Sequence, residues 1–258
     1  MSARVVAPAL MGLLMLAGWE AAVRFFAIPP YILPGPLLVA ETLVADRATL
    51  LPSLLVTLTI TLEALVAAVV VGGLLAVLFS LSRWIELSLL PYAIILQVTP
   101  IVAIAPLIII WANDIDLSLL ICAWLVAFFP ILSNTILGLR SVDANLLDLF
   151  RLYGAGRWRT LVDLRLPAAL PYFLGGLRIS GGLALIGAVV AEFVAGTGGS
   201  ASGLAWRILE SGYQLQIPRM FAALALISLS GIAIYLVLGV LSHLALRHWH
   251  ESAMDGGA

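Results

Sequence analysis

Apolar residues gather into six long runs, 5–26, 54–81, 87–111, 117–139, 170–195 and 220–246, separated by shorter polar intervals. At 1.5 Å rise per residue, runs of this length make helices of about 33–42 Å, enough to cross a hydrocarbon core of about 30 Å with some tilt. None shows the apolar–polar alternation of a membrane β-barrel strand. The pattern predicts an all-α membrane protein, a bundle of six transmembrane helices. Two outer segments carry more than a simple turn. Residues 28–36 (IPPYILPGP) are held extended by four prolines, and 37–51 follow as a short amphipathic stretch with Glu41, Asp46 and Arg47. Residues 196–213 are glycine-rich and then amphipathic again. No internal repeat is visible.

Composition supports this reading. Of 258 residues, 63% are hydrophobic and 10% charged, with a mean hydropathy of +1.14. Soluble domains hold roughly 45–50% apolar and about 25% charged residues, so the soluble-globular and disordered classes are excluded. A net charge of −1 offers no basic surface for nucleic acid. Every basic residue apart from histidine is Arg; Lys is absent. The single Cys122, in an apolar run, permits neither a disulfide framework nor a multi-cysteine metal site.

The arginines set an expected orientation. Arg140, Arg151, Arg157, Arg159 and Arg165 lie between the fourth and fifth runs, Arg178 just inside the fifth, Arg83 after the second, and Arg4 and Arg247 near the termini. The alternate side carries Arg24, Arg47, Arg207 and Arg219. By the positive-inside rule both termini are expected in the cytoplasm. The first run, with Arg4 and small residues near Ala17 and Ala21, has some features of a cleaved signal peptide. We expect it to be retained, because it stays apolar beyond Glu20, and Glu20 and Arg24 can pair at i,i+4.

The most informative interruption is 141–171, SVDANLLDLFRLYGAGRWRTLVDLRLPAALP. Leu146, Leu147, Leu149, Phe150 and Leu152 make a short apolar face beside Asp148 and Arg151. Gly154 and Gly156 are expected to end that helix, and a second helical piece over 158–166 leads to Pro167. On composition alone, such a helix either projects as an apolar knob towards a partner's groove or lies on anionic lipid with its arginines as anchors.

The segment resembles the cytoplasmic loop of binding-protein-dependent ABC importer permeases, whose pattern is E-A-A, three residues, G, nine residues, I-x-L-P. Gly154 is followed after nine residues by Leu164, Arg165, Leu166 and Pro167; Asp148, Leu149 and Phe150 replace the E-A-A triplet. The runs 166–180 (LPAALPYFLGGLRIS), 33–36 (LPGP) and 97–107 (QVTPIVAIAPL), and Glu192 followed by Gly203 and Leu204, resemble the nitrate, sulfonate and taurine group of these permeases. That group also includes thiamine-precursor and riboflavin transporters. The resemblance covers residues 5–246. It implies a single transmembrane permease domain over 1–258 in the bacterial inner membrane, with a cytoplasmic coupling loop at about 141–167. It implies that Asp148, Leu149, Phe150, Arg151, Gly154, Ala155, Leu164, Leu166 and Pro167 couple the chain to a separate ABC ATPase subunit. The implied partners are that ATPase, which carries ATP and Mg, a second permease copy as a homodimer, an extracytoplasmic substrate-binding protein, and the membrane lipid around the permease. The implied cargo is a small organic solute such as a pyrimidine or thiamine precursor, riboflavin or a sulfonate.

The chain's own residues agree with a transport subunit that has no ATPase site of its own. A phosphate-binding loop of the G-x4-G-K-[ST] type needs a Lys, so the glycine cluster at 196–203 is expected to be an outer turn. No cofactor or metal is expected on this chain. His243, His248 and His250 crowd the C-terminal end, and no H-E-x-x-H or G-x-S-x-G motif occurs, which argues against an intramembrane enzyme. Glu63 and Glu192 lie within apolar runs, where a charge costs about 2.5–3.5 kcal/mol on insertion scales. They and Gln97, Thr99 and Asn134 are candidates for the solute pathway; helix–helix contact or hydrogen bonding is the other reading. Pro91, Pro100, Pro106 and Pro130 are expected to kink their helices. With no Arg read in the middle of a run, the acids favour a neutral or cationic cargo. A stand-alone secondary carrier or channel is the alternative function.

Overall fold

The structure, a computed structural model, describes residues 3–196 and 202–247. Eleven α-helices follow one another: α1 (Ala3–Phe25), α2 (Pro36–Ala45), α3 (Arg47–Leu81), α4 (Arg83–Val98), α5 (Ile101–Ala112), α6 (Ile115–Arg140), α7 (Ala144–Leu152), α8 (Arg157–Thr160), α9 (Leu166–Ala195), α10 (Leu204–Tyr213) and α11 (Ile217–Leu246). A π-helical segment, Leu161–Arg165, joins α8 to α9. The described residues contain no strand. Five helical stretches are long and apolar enough to cross a membrane; α4 and α5, bent by 106° at a short break, make a sixth if counted as one span.

That break is the main departure from the expected runs, since 87–111 reads as one continuous span. Pro100 has no N–H to donate and disfavours helical backbone at the residue before it. Thr99 accordingly ends α4 in extended backbone, and Pro100 begins α5 as its N-cap residue. Pro91, Pro106 and Pro130 lie inside unbroken helices. α5 ends on Asn113 in the left-handed region (φ 51°), and the Asp114 carboxylate then caps α6 by accepting from the Leu117 N–H at 3.0 Å.

Two further boundaries move. α3 begins at Arg47, because the amphipathic stretch at 37–51 divides at Asp46 into α2 and the first turn of α3. α9 begins at Leu166, ahead of the expected 170, because it runs on from the π-helical segment before it without leaving helical backbone. Arg178 is therefore the thirteenth of thirty residues in α9. This corrects the expectation that no Arg lies in the middle of a span, and removes the ground for favouring a neutral or cationic cargo.

The chain divides into two compact units. One comprises the residues up to Thr57 with Gly196–Leu229; the other comprises Leu58–Ala195 with the residues from Ser230 onwards.

The larger unit is built on α6 and α9, which pack antiparallel through small residues. A Cβ on Gly138 would come within 2.7 Å of the Ala169 Cα, one on Gly176 within 2.7 Å of the Pro130 carbonyl, and one on Gly187 within 2.8 Å of the Ala123 Cα. Such close approach is how helices gain contact where lipid offers no hydrophobic drive for association. Around this seam Ile131, Leu132, Leu139 and Leu161 are buried, with Phe79 and Leu65 of α3.

In the smaller unit Leu50 and Leu204 are wholly buried among Val39, Ala222, Ala223 and Leu226. Polar links reinforce that core. The Leu204 N–H donates to Thr57 Oγ1 at 2.9 Å, Arg207 Nε to Ser53 Oγ at 2.9 Å, and Arg219 Nε to Asp46 Oδ2 at 2.6 Å. Glu20 pairs with Arg24 at 2.6 Å as expected. Its second oxygen accepts from the Leu37 N–H in the first turn of α2 at 3.2 Å, a carboxylate set against a helix N-terminus. Trp19 of α1 packs against Phe221, with ring centroids 6.0 Å apart.

Candidate functional site

The segment after α6 folds as a short amphipathic helix with none of its residues buried. The Asp143 carboxylate opens α7 by accepting from the Asn145 N–H at 2.7 Å, and Asp148 pairs with Arg151 at 2.8 Å on its exposed side. Leu146 and Leu149 are exposed, and Leu152 and Tyr153 are 84% and 83% exposed. Phe150 is half-buried. An apolar helix face left open to this degree has no partner among the described residues.

α7 is stopped by backbone geometry. Gly154 takes φ +68°, its N–H donates to the Arg151 carbonyl at 3.0 Å, and the Ala155 N–H donates to the Phe150 carbonyl at 2.9 Å. These are the two bonds of a Schellman turn, which needs a left-handed residue where Gly154 stands. Nothing lies within 4 Å of a Cβ built there, so conformation and not space requires the glycine. Gly156 also interrupts the helix, but at φ −67°, as the N-cap of α8 with the Thr160 N–H on its carbonyl.

Beyond it the chain is tied down at two points. Leu161 is 1% exposed in the larger unit's core, and Arg165 donates to the Ser80 carbonyl (3.3 Å) and Oγ (3.0 Å) at the end of α3. Between them the helix widens, with the Leu166 N–H reaching back five residues to the Leu161 carbonyl. This register shift stands immediately before Pro167, whose missing donor would otherwise leave a gap in the ladder. Leu164 and Pro167 are half-buried and Leu166 is exposed at the root of the loop. Residues 148–151 thus lie on α7, 154 and 155 in the turn after it, 164 in the π segment, and 166 and 167 at the start of α9. The anchoring roles of Leu161, Arg165 and Ser80 were not read from the sequence; one apolar residue inside a basic stretch was the available signal for Leu161.

The five pathway candidates do not converge. Gln97 and Thr99 line one cavity of about 370 Å3 at the α4–α5 break, with Pro100, Phe129 and Leu183. The Thr99 hydroxyl donates to the Ile95 carbonyl at 2.7 Å. Asn134 lines a different cavity of about 610 Å3 with Asp143, Leu146 and Tyr172, and its side-chain amide donates to the Pro130 carbonyl at 2.9 Å. Glu192 is 2% exposed within α9. Glu63 is exposed midway along α3, beside exposed Leu62 and Val66.

Arg178, expected just inside the fifth run, occupies a separate place. Its guanidinium carbon lies 5.3 Å from the centroid of the Tyr235 ring, and its buried Nε has no hydrogen-bond partner among the described residues. It lines a cavity of about 270 Å3 with Ser242 and His243 of α11. His248, His250 and most of the glycine cluster at 196–203, residues 197–201, lie outside the described residues. Among the described residues no group of His, Cys, Asp and Glu is arranged to hold a metal ion.

Comparison with known proteins places this architecture. Residues 68–251 match the family described as binding-protein-dependent transport system inner membrane component. The chain is 34% identical over 243 residues to a probable ABC transporter permease protein of Haemophilus influenzae, covering 94% of this chain and 98% of that protein. It is 36% identical over 242 residues to the riboflavin transport system permease protein RibX of Chloroflexus aurantiacus, covering 93% and 88%. It is 32% identical over 232 residues to the formylaminopyrimidine transport permease protein ThiX of Halalkalibacterium halodurans, covering 90% and 91%. With its succession of apolar membrane-crossing helices, the chain belongs to the binding-protein-dependent transport system inner membrane components, the multi-pass permeases of ABC transporters.

Proposed function

We propose that this chain forms the solute pathway of an ATP-driven importer and is moved by a separate ATPase subunit that grips α7. The observation that carries the reading is the unpartnered apolar face of Leu149, Leu152 and Tyr153, on a short helix closed by the Gly154 turn and rooted by Leu161 and Arg165. A helix with an open apolar face is suited to a hydrophobic groove on another protein. Its root matters equally, since a displacement of α7 passes through the π segment directly into α9. Both termini and the α7 loop face the cytoplasm in this reading, as the arginine distribution requires. ATP and Mg belong to the partner, and an extracytoplasmic binding protein delivers the solute.

The pathway is completed by a second copy. Glu63 supports this, because an exposed carboxylate halfway along an apolar helix is costly against lipid and needs water or protein across from it. The break at Pro100, with Gln97 and Thr99 in its cavity, is the polar lining nearest a discontinuity in a span. The solute class is a small organic molecule: a pyrimidine or thiamine precursor, riboflavin or a sulfonate.

The test is to tag the chain, extract it gently from its host and identify what accompanies it. A stoichiometric ATPase subunit that crosslinks to Phe150→Cys in a Cys122→Ser background supports the reading. Repeated recovery of the chain alone, with the crosslink empty, favours a self-sufficient carrier.

A further inference from the structure

Beside α7, lined by its Leu147 and Arg151 and by neither Leu149 nor Leu152, lies an open cavity of about 630 Å3. Arg83, Arg151, Arg157 and Arg165 line it, joined by the hydroxyl-bearing Ser80 and Thr160, and no acidic residue contributes to its wall. The carboxylates nearby are engaged elsewhere: Asp163 with Arg159, Glu86 with Arg140, and Asp148 with Arg151 on the exposed side of α7. Among the described residues Arg165 bonds only the neutral Ser80, and Arg83 and Arg157 have no ion pair. Three guanidinium groups therefore surround one volume without a countercharge.

The position of the cavity narrows what could supply that charge. Its wall includes Leu81, the last residue of the apolar α3, and Trp84, 82% exposed in the first turn of α4. Beyond Trp84, α4 presents Ile85 and Leu87 at its surface. Trp and Arg at the end of apolar helices mark the headgroup level of a bilayer. Planar guanidinium forks match the oxygens of a phosphate, and basic pockets between membrane helices on the cytoplasmic side take anionic headgroups.

We propose that this cavity is a binding site for a phosphate group, supplied by an anionic phospholipid of the cytoplasmic leaflet whose acyl chains run along α4. The placement on that leaflet rests on the orientation given under the proposed function. Arg151 and Ala155, read as coupling residues, also line the cavity, so the site adjoins the ATPase dock without including Leu149 or Leu152, and an occupied site would brace the helix that the partner moves.

The experiment uses the full chain with whatever ATPase accompanies it, in nanodiscs of phosphatidylcholine alone or with phosphatidylglycerol. Lipid retained by the protein is measured by native mass spectrometry, and inorganic pyrophosphate serves as a soluble competitor. Arg83→Ala with Arg157→Ala is compared with the parent and with Arg47→Ala, a control that does not line the cavity. We expect selective retention of phosphatidylglycerol that weakens about thirtyfold in the double variant, at the usual contribution per surface Arg. Pyrophosphate that binds the parent in phosphatidylcholine discs and is lost in the double variant would uphold the phosphate site and make its source soluble. Equal phosphatidylglycerol retention by parent and double variant, with no pyrophosphate binding, overturns the proposal. So does loss of the ATPase from the double variant with lipid retention unchanged, which would assign the arginines to partner carboxylates. Absence of an ATPase from the parent alone would count against the proposed function and leave the lipid result readable.

Discussion

The Ser180 hydroxyl donates to the backbone carbonyl of Ala127, 2.6 Å away, across the buried seam between α6 and α9. It sits one turn beyond Gly176, whose absent Cβ lets the Pro130 carbonyl approach. Hydrogen bonds between membrane helices contribute about 0.6 kcal/mol on average, so Ser180→Ala is expected to lower stability slightly. Gly176→Val and Gly187→Val are expected to cost more, about 1–3 kcal/mol each, because a side chain there must push two backbones apart. Gly175→Val is the control: a Cβ at Gly175 meets nothing within 4 Å. Thermal unfolding in detergent should rank the variants in that order, and a Gly175→Val loss as large as that of Gly176→Val would contradict the seam.

Gly154 supports a sharper expectation. At φ +68° a β-branched residue is strained by about 1–2 kcal/mol, whereas Asn tolerates the left-handed region. Gly154→Val should leave the protein inserted, with its melting point lowered by no more than a few degrees, while solute uptake falls at least tenfold. Gly154→Asn should restore most of the uptake. Equal uptake by both variants would mean that the shape of the turn after α7 does not matter to transport.

Much of this was legible in the sequence, and the reasons differ by element. The spans were readable because a hydrocarbon core demands long apolar runs. The loop was readable because Gly154 and Pro167 impose backbone requirements at fixed positions. A bend at Pro100 was expected alongside bends at Pro91, Pro106 and Pro130; that the chain would break at Pro100 and stay helical at the other three was not legible. Glu20 was read correctly as the partner of Arg24, but its second bond, to the start of α2, depends on a chain reversal through 28–36 that local pattern does not specify. The scattering of Gln97, Asn134 and Glu192 over different surroundings has the same origin: a polar residue in an apolar run announces its cost and not its neighbour.

In the smaller unit, Arg219 and Asp46 join α11 to the end of α2 with both side chains about three-quarters removed from solvent. Removing either leaves a partly buried charge alone. Asp46→Ala and Arg219→Ala should each destabilise, with a coupling energy near 1 kcal/mol in a double-mutant cycle after allowing for residual solvent screening. The exchanged pair Asp46→Arg with Arg219→Asp should recover part of the loss. A coupling energy of zero, measured by denaturant unfolding in mixed micelles, would mean that the pair is incidental to the fold.

Arg178 separates stability from function most clearly. Its buried Nε lacks a hydrogen-bond partner among the described residues, which costs about 1–3 kcal/mol, and the Tyr235 ring returns about 0.5–2 kcal/mol of that. The two nearly cancel, so Arg178→Met should change stability by no more than about 1 kcal/mol. A group retained in mid-helix without a stabilising balance is a candidate for use during transport, as intramembrane charges generally are. Uptake by Arg178→Met should therefore fall at least tenfold at an unchanged melting point, and Arg178→Lys should recover part of it by keeping the charge. Tyr235→Leu provides the complementary test, since it removes the ring beneath the guanidinium and leaves the charge. It should lower stability by the cation–π contribution while uptake persists. If Arg178→Met transports normally, the guanidinium is a packing element of α9 and α11 and the larger unit tolerates its cost for no transport purpose.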